Sequence, residues 1–184
     1  MVDDGLWQYD YDFARDRVIL AALIEVWDQA PDWAGPYWGG GGNCIEAATF
    51  ASSVLKRLHV EREVIVCRAR GGRQHTLIGF GDCGAFKPQT ERALAGHAVV
   101  VGHNWLFDAA AGQFGEDGPV VAEGDRNGVW RAPGIEYHWA PGLNEQIVHG
   151  RVDRWGHGRA SARMAKLVRE IAGPCRAPRA YSVA

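Results

Sequence analysis

Apolar positions recur with the 3.6-residue period of an amphipathic helix in three stretches of the chain. The first begins near Asp16 and stops at Pro31, because proline ends a helix. The second runs from Cys44 to Leu58, and the third covers residues 159–172. Their apolar stripes are Val18, Ile19, Ala22, Leu23, Val26 and Trp27; Ile45, Ala48, Ala51, Val54, Leu55 and Leu58; and Met164, Leu167, Val168 and Ile171. These patterns predict three helices.

Runs of β-branched and aromatic residues between the second and third helices indicate strands. We expect one strand over residues 60–69, centred on Val64-Ile65-Val66-Cys67, and another over residues 75–81. Gly96–Val101 and Asn104–Asp108 have the pattern of a β-hairpin. Helices and antiparallel strands in one chain of this length predict an α+β fold.

Residues 115–146 are rich in Gly, Pro and polar residues and show no sustained period. Because a loop of that length is usually functional, we expect a candidate lid there, with short strands around Val120 and Ile135–Trp139. Residues 173–184 have the composition of a loose tail. The 184 residues suit one domain over 1–184.

The charge is small overall but uneven. The formal net charge is −2, whereas residues 151–184 hold eight Arg or Lys and two Asp or Glu, a local charge of +6. A charge run of this kind usually forms a solvated helix face, and it also suits acidic partners. Nucleic acid is therefore an unlikely partner for a chain of this net charge. Nucleic-acid binding through the basic segment alone is a weaker alternative.

The chain shows no targeting or membrane segment and no metal motif. The start Met-Val-Asp-Asp-Gly lacks the basic and apolar runs of a secretory signal, and no apolar stretch reaches the length of a membrane span. We expect a cytoplasmic location, with export by another route left open. Four scattered cysteines do not predict a disulfide framework or a zinc site, and we expect no cofactor.

Cys44 is the strongest candidate nucleophile. It lies in the first turn of the second helix, where the helix dipole and free N–H groups favour a thiolate, and its own N–H can serve an oxyanion. Four glycines, Gly39 to Gly42, precede it and allow a substrate chain to approach. Cys67 lies in an apolar strand and is expected in the core, whereas Cys83 is a weaker rival without a helix.

The hairpin supplies a base and an orienting acid. If Gly102-His103 forms a two-residue turn, His97 pairs with Asp108, and directly opposed Cβ atoms lie about 4.5–5.5 Å apart. If the turn is His103-Asn104, Asp108 faces Val99 and the geometry is less direct. His75 is the best rival base, and Asp108 has the alternative role of a turn residue.

The ordered set resembles the core of the transglutaminase-like and papain-like superfamily. The matching pieces lie within residues 38–114: Gly42-Asn43-Cys44 before a small-residue helix and a β run, then Gly96-His97-Ala98, a hairpin, and Asp108-Ala-Ala-Ala-Gly-Gln-Phe. The resemblance implies a papain-like or transglutaminase-like fold, in which the nucleophile begins a helix packed on an antiparallel sheet that carries His and Asp. It also implies a catalytic triad of Cys44, His97 and Asp108.

The same resemblance suggests further site residues. A second oxyanion donor is usual six residues before the cysteine, which is Trp38 here, with Asn43 and Gln29 as rivals. Gly42 and Gln113 are candidate substrate-binding residues. The chain is short and has no calcium-ligand cluster, so calcium dependence is not implied.

The resemblance implies chemistry through a thioester acyl-enzyme. A peptidase, amidase or glutamine deamidase acting on a protein or peptide is the first interpretation. Transglutaminase-type transfer to an amine is the second, and a non-catalytic protein-binding module is the third. Some bacterial domains of this kind are secreted effectors. The oligomeric state stays open.

Overall fold

The computed structural model describes residues 4–31, 44–71, 96–114, 116–124, 128–141 and 158–173. This part of the chain forms three α-helices, which are α1 (Asp4–Glu25), α2 (Cys44–Arg57) and α3 (Gly158–Ala172). Short 3₁₀ turns cover Trp27–Gln29 and Ala111–Phe114. Six strands follow in chain order: β1 (Glu63–Gly71), β2 (His97–Val101), β3 (Trp105–Asp108), β4 (Val120–Gly124), β5 (Val129–Ala132) and β6 (Ile135–Trp139).

The helices begin and end close to where the apolar periods predict, with one exception. Helix α2 begins at Cys44 and α3 begins at Gly158, one residue before the predicted start. Helix α1 begins at Asp4, well before the predicted start near Asp16. The residues before Asp16 are acidic and aromatic without an apolar period, so this part of the helix had no periodic signal.

The six strands form a closed antiparallel barrel in the order β1-β2-β3-β4-β5-β6. Closure depends on β1, which pairs with β2 through Glu63–Cys67 and with β6 through Cys67–Gly71. Cys67 is therefore the point at which β1 passes from one neighbour to the other, opposite both His97 and Trp139. A closed barrel leaves no strand edge exposed.

The predicted papain-like or transglutaminase-like core is wrong. The antiparallel sheet is not a layer on which a helix packs, because its first and last strands pair and close it into a barrel. Periodicity indicates strands but not which distant strands are neighbours. Helix α2 does pack against the barrel wall, and it contacts β2 and β1.

Three of the barrel strands lie within residues 115–146, where the composition predicted a long excursion and a candidate lid. Strands β4 and β6 coincide with the short strands predicted around Val120 and Ile135–Trp139, and β5 was not predicted. Residues 115, 125–127 and 142–146 lie outside the described residues, as does the predicted tail beyond residue 173. None of the described helices is both long and apolar enough to cross a membrane.

Alternate residues of the strands face two separate cores. One core lies inside the barrel, and the other lies between the outer face of β1–β3 and the helices. The interior core contains Ile65, Cys67, Ala69, Val99, Leu106, Ala122, Trp130, Ile135 and Tyr137. The helix-side core receives Val64, Val66, Ala98, Val100, Trp105 and Phe107 from the strands. This alternation decides which side chains of β2 and β3 point into the barrel.

An aromatic group holds α2 on the barrel wall. The ring of Trp27 lies 5.8 Å from that of Phe50 on α2 and 5.5 Å from that of Phe107 on β3, both between ring centroids. All three side chains are buried. Packing of this kind fixes the position of the helix that begins with Cys44, relative to the hairpin that carries His97 and Asp108.

Candidate active site

Cys44 is the first residue of α2 and is 7% exposed. The first four backbone N–H groups of an α-helix have no partner within the helix, so the region around this sulfur is rich in hydrogen-bond donors. Trp38, Gly42 and Asn43, the residues predicted to serve an oxyanion or substrate beside it, lie outside the described residues. Gln113 lies in the 3₁₀ turn after β3, and its side chain is outside the described part of the chain.

The β2–β3 hairpin has the second of the two predicted registers. Val100 pairs with Phe107 and Val101 with Leu106, and the Gly102 N–H donates to the Trp105 carbonyl at 3.0 Å. The turn residues are therefore His103 and Asn104, and the turn at Gly102-His103 is wrong. Continued along the hairpin, this register places Asp108 opposite Val99.

His97 and Asp108 nevertheless meet, because they are diagonal neighbours on one face of the hairpin. Residues offset by two positions across a strand pair have Cβ atoms about 7–8 Å apart, which a long side chain spans. The Nε2–H of His97 lies 2.8 Å from Oδ2 of Asp108, and both residues are 0% exposed. His97 is two residues from Val99 and Asp108 is two residues from Leu106, so both side chains share the face of these interior residues and point into the barrel.

Asp108 accepts hydrogen bonds at both carboxylate oxygens. The backbone N–H of Ala110 donates to Oδ1 at 2.9 Å, and the hydroxyl of Tyr137 donates to Oδ2 at 2.9 Å. With His97, three donors surround a carboxylate that is shielded from water. Tyr137 was not predicted as a site residue, since it is far from the triad in sequence and its strand has no local motif.

Cys44 lies close to His97, since its charge and its hydrogen-bonding capacity both contribute to the pKa of the imidazole. Burial by itself lowers the pKa of His97, but the charge and hydrogen bond of Asp108 outweigh it, and Cys44 adds a smaller effect in the same direction. Together they raise the pKa of His97 to about 10. The structure thus brings together all three predicted triad residues, Cys44, His97 and Asp108.

Cys67 lies under the site but has the surroundings of a core residue. It is 0% exposed, and its sulfur lies 3.4 Å from the backbone carbonyl oxygen of His97, as a donor. Burial raises the pKa of the Cys67 thiol well above its usual value, and the negative charges of Asp108 and Cys44 raise it further. A thiol in this state is a poor nucleophile. The rivals His75 and Cys83 lie outside the described residues.

A cavity of about 580 Å³ lies elsewhere on the molecule. It is lined by Val101 and Gly102 at the end of β2 opposite to His97, and by Phe13, Arg15 and His59. It therefore does not lead to Cys44. Among the described residues, no group of three His, Cys, Asp or Glu side chains is arranged to hold a metal ion.

Comparisons with protein-family models, with curated proteins and with solved structures found no match to this chain. The resemblance in the order of Cys44, His97 and Asp108 therefore stays a prediction.

Proposed function

We propose that this chain is a cysteine-nucleophile enzyme that attacks the amide carbonyl of a protein or peptide and forms a thioester acyl-enzyme. One observation carries the proposal: Nε2 of His97 contacts Asp108, and Cys44 lies close enough to the same ring to contribute to its raised pKa. A thiol, a base and an orienting acid in this connectivity are the parts that nucleophilic catalysis requires.

His97 already holds its proton near neutral pH, since its pKa is about 10, so the active form is the ion pair of this imidazolium with a Cys44 thiolate. This imidazolium is stabilised by the Asp108 carboxylate, which the Ala110 N–H and the Tyr137 hydroxyl hold in place. The thiolate at the start of α2 is favoured by the positive end of the helix dipole.

The thiolate sulfur then adds to the amide carbonyl carbon, and the carbonyl oxygen becomes an oxyanion that the Cys44 N–H can bind. The C–N bond breaks as His97 gives its proton to the leaving nitrogen, which departs as an amine or ammonia. Water, deprotonated by His97, attacks the thioester and releases a carboxylic acid and the Cys44 thiol.

The small exposure of Cys44 favours a slender acyl donor. With 7% of the residue exposed, the sulfur admits a side-chain carboxamide, such as that of Gln, more readily than the main chain of a folded protein. Deamidation or hydrolysis of a peptide amide is therefore the reaction we rank first, and transfer to an amine follows it.

The test is the alkylation rate of each cysteine by iodoacetamide between pH 4 and pH 10, read by mass spectrometry. We expect Cys44 to react roughly 10- to 100-fold faster than free cysteine at pH 6, since an ordinary thiol is almost fully protonated there. His97→Ala should remove this advantage. His103→Ala is the matched control, because it removes an exposed histidine from the turn of the same hairpin.

A Cys44 rate equal to that of free cysteine, or one unchanged in His97→Ala, would sink the proposal and favour a non-catalytic binding module. If the pair is active, ammonia release from an N-blocked glutaminyl-glycine dipeptide measures deamidation. With a primary amine added, finding the amine-linked amide in place of the acid, with ammonia still released, would move the assignment to acyl transfer.

A further inference from the structure

Tyr137 lies in the middle of β6 and is completely buried inside the barrel. Its hydroxyl donates to Oδ2 of Asp108 at 2.9 Å, and this is the same oxygen that lies 2.8 Å from Nε2 of His97. A phenol and an imidazole therefore share one carboxylate oxygen. The third donor, the N–H of Ala110, takes the other oxygen.

The barrel holds the Tyr137 ring in a fixed place. Tyr137 pairs with Ala69 on β1 and with Trp130 on β5, so a small residue is on one side and a large aromatic residue is on the other. All three belong to the same interior core. Burial and the negative charge of Asp108 both raise the pKa of Tyr137, so the hydroxyl stays protonated and acts as a donor to the carboxylate.

We infer that Tyr137 is a positioning residue of the proposed enzyme: its hydroxyl holds Oδ2 of Asp108 in place against Nε2 of His97. This inference rests on the proposed function. Tyr137 acts through Asp108 rather than on the substrate, because its hydroxyl is hydrogen-bonded to the carboxylate inside the barrel.

Loss of the Tyr137 hydroxyl should change how the alkylation rate of Cys44 depends on pH on the acidic side. Without the Tyr137 donor, Oδ2 of Asp108 is held less firmly against His97, so the carboxylate stabilises the imidazolium beside Cys44 less well. A hydrogen bond from a neutral donor to a charged acceptor changes an equilibrium about 10-fold or more. The titratable groups that act on this network are Cys44 from α2, Cys67 from β1, His97 from β2 and Glu116 from the loop before β4.

The test is Tyr137→Phe, which keeps the ring and removes only the hydroxyl. We expect the acid limb of Cys44 alkylation by iodoacetamide to move up by about one pH unit, so that the rate at pH 5 falls about 10-fold. With an amide substrate, kcat should fall while KM changes little. Trp105→Phe is the matched control, because it removes another buried donor to a buried carboxylate, the 3.0 Å bond from Trp105 Nε1 to Asp16, away from the site.

A purely structural role for Tyr137 predicts a different result: both variants lose stability, and neither changes the pH profile. That outcome overturns the inference while leaving the proposed function intact, provided that wild-type Cys44 is activated. If wild-type Cys44 is not activated, the proposed function fails. The titration of His97, followed by NMR of its ring proton, then decides whether Tyr137 acts on the His97–Asp108 pair, and an identical titration in Tyr137→Phe rejects it.

A second variant covers the case in which Tyr137→Phe does not fold. Incorporation of 3-fluorotyrosine at position 137 keeps the shape and makes the phenol a stronger donor, so the acid limb should move to lower pH. An unchanged limb in the folded fluorinated protein contradicts the inference.

Discussion

The ring of His97 is close to both an acid and a thiol. Its Nε2 is directed at Asp108 inside the barrel, and Cys44 at the start of α2 is near enough to contribute to its pKa. Burial opposes the charged form of the imidazole, but the Asp108 carboxylate more than offsets that cost. The contact with Asp108 that would prepare His97 for catalysis therefore also favours protonated His97 in the folded protein.

This coupling predicts how stability depends on pH. The pKa of His97 is raised from 6.5 to about 10, so its contribution to stability is fully present below about pH 6.5 and is lost as the pH rises toward 10. We expect the difference in unfolding free energy between wild type and His97→Gln to be largest at pH 6 and to shrink steadily by pH 9.5. Urea unfolding at several pH values measures it. A difference that stays constant with pH would show that His97 is neutral in the folded protein.

The β2–β3 hairpin shows how glycine and tryptophan set an element in place. Gly102 lies opposite Trp105, and a Cβ added to Gly102 would come within 2.2 Å of the indole ring. The ring can therefore cover the glycine while its N–H reaches Asp16 on α1 at 3.0 Å. The pair Gly124 and Trp130 repeats the arrangement between β4 and β5.

A methyl group at Gly102 should therefore loosen the hairpin that carries the site. We expect Gly102→Ala to lower the unfolding free energy by about 1–3 kcal/mol, because the indole must move to admit the Cβ. Gly118→Ala is the matched control, since an added Cβ there meets no atom within 4 Å. Urea unfolding of the two variants measures the contrast. Equal losses of unfolding free energy in the two variants would mean that displacing the indole of Trp105 costs no free energy.

At the scale of the molecule, the sequence could predict those features that depend on residues close together along the chain. The start of α2 at Cys44 follows from a local apolar period, and the meeting of His97 and Asp108 follows from a hairpin, although through a diagonal contact rather than the direct pair. The pairing of β1 with β6 and the contact of Tyr137 with Asp108 join distant residues. Periodicity carries no information on either, so the closed barrel and the third donor could not be foreseen.

The two cores meet at the candidate site, and this position predicts different reactivity for its two thiols. Cys44 belongs to the helix-side core and begins a helix, whereas Cys67 is 0% exposed inside the barrel. Iodoacetamide should reach Cys44 in the folded protein and reach Cys67 only when the barrel opens. Cys67 alkylation should therefore follow global stability.

A substitution that leaves a cavity beside α1 separates these cases. Leu23→Ala removes a fully buried side chain from α1 and should cost about 2–5 kcal/mol, so Cys67 alkylation should rise by about 30-fold or more. The rate of Cys44 should change little, because the contacts among Cys44, His97 and Asp108 stay in place. Mass spectrometry of the two cysteine peptides over time measures both rates in one sample. If Cys67 reacts at the same rate in both proteins, β1 opens locally, and the barrel that holds His97 and Asp108 is less cooperative than its closed pairing implies.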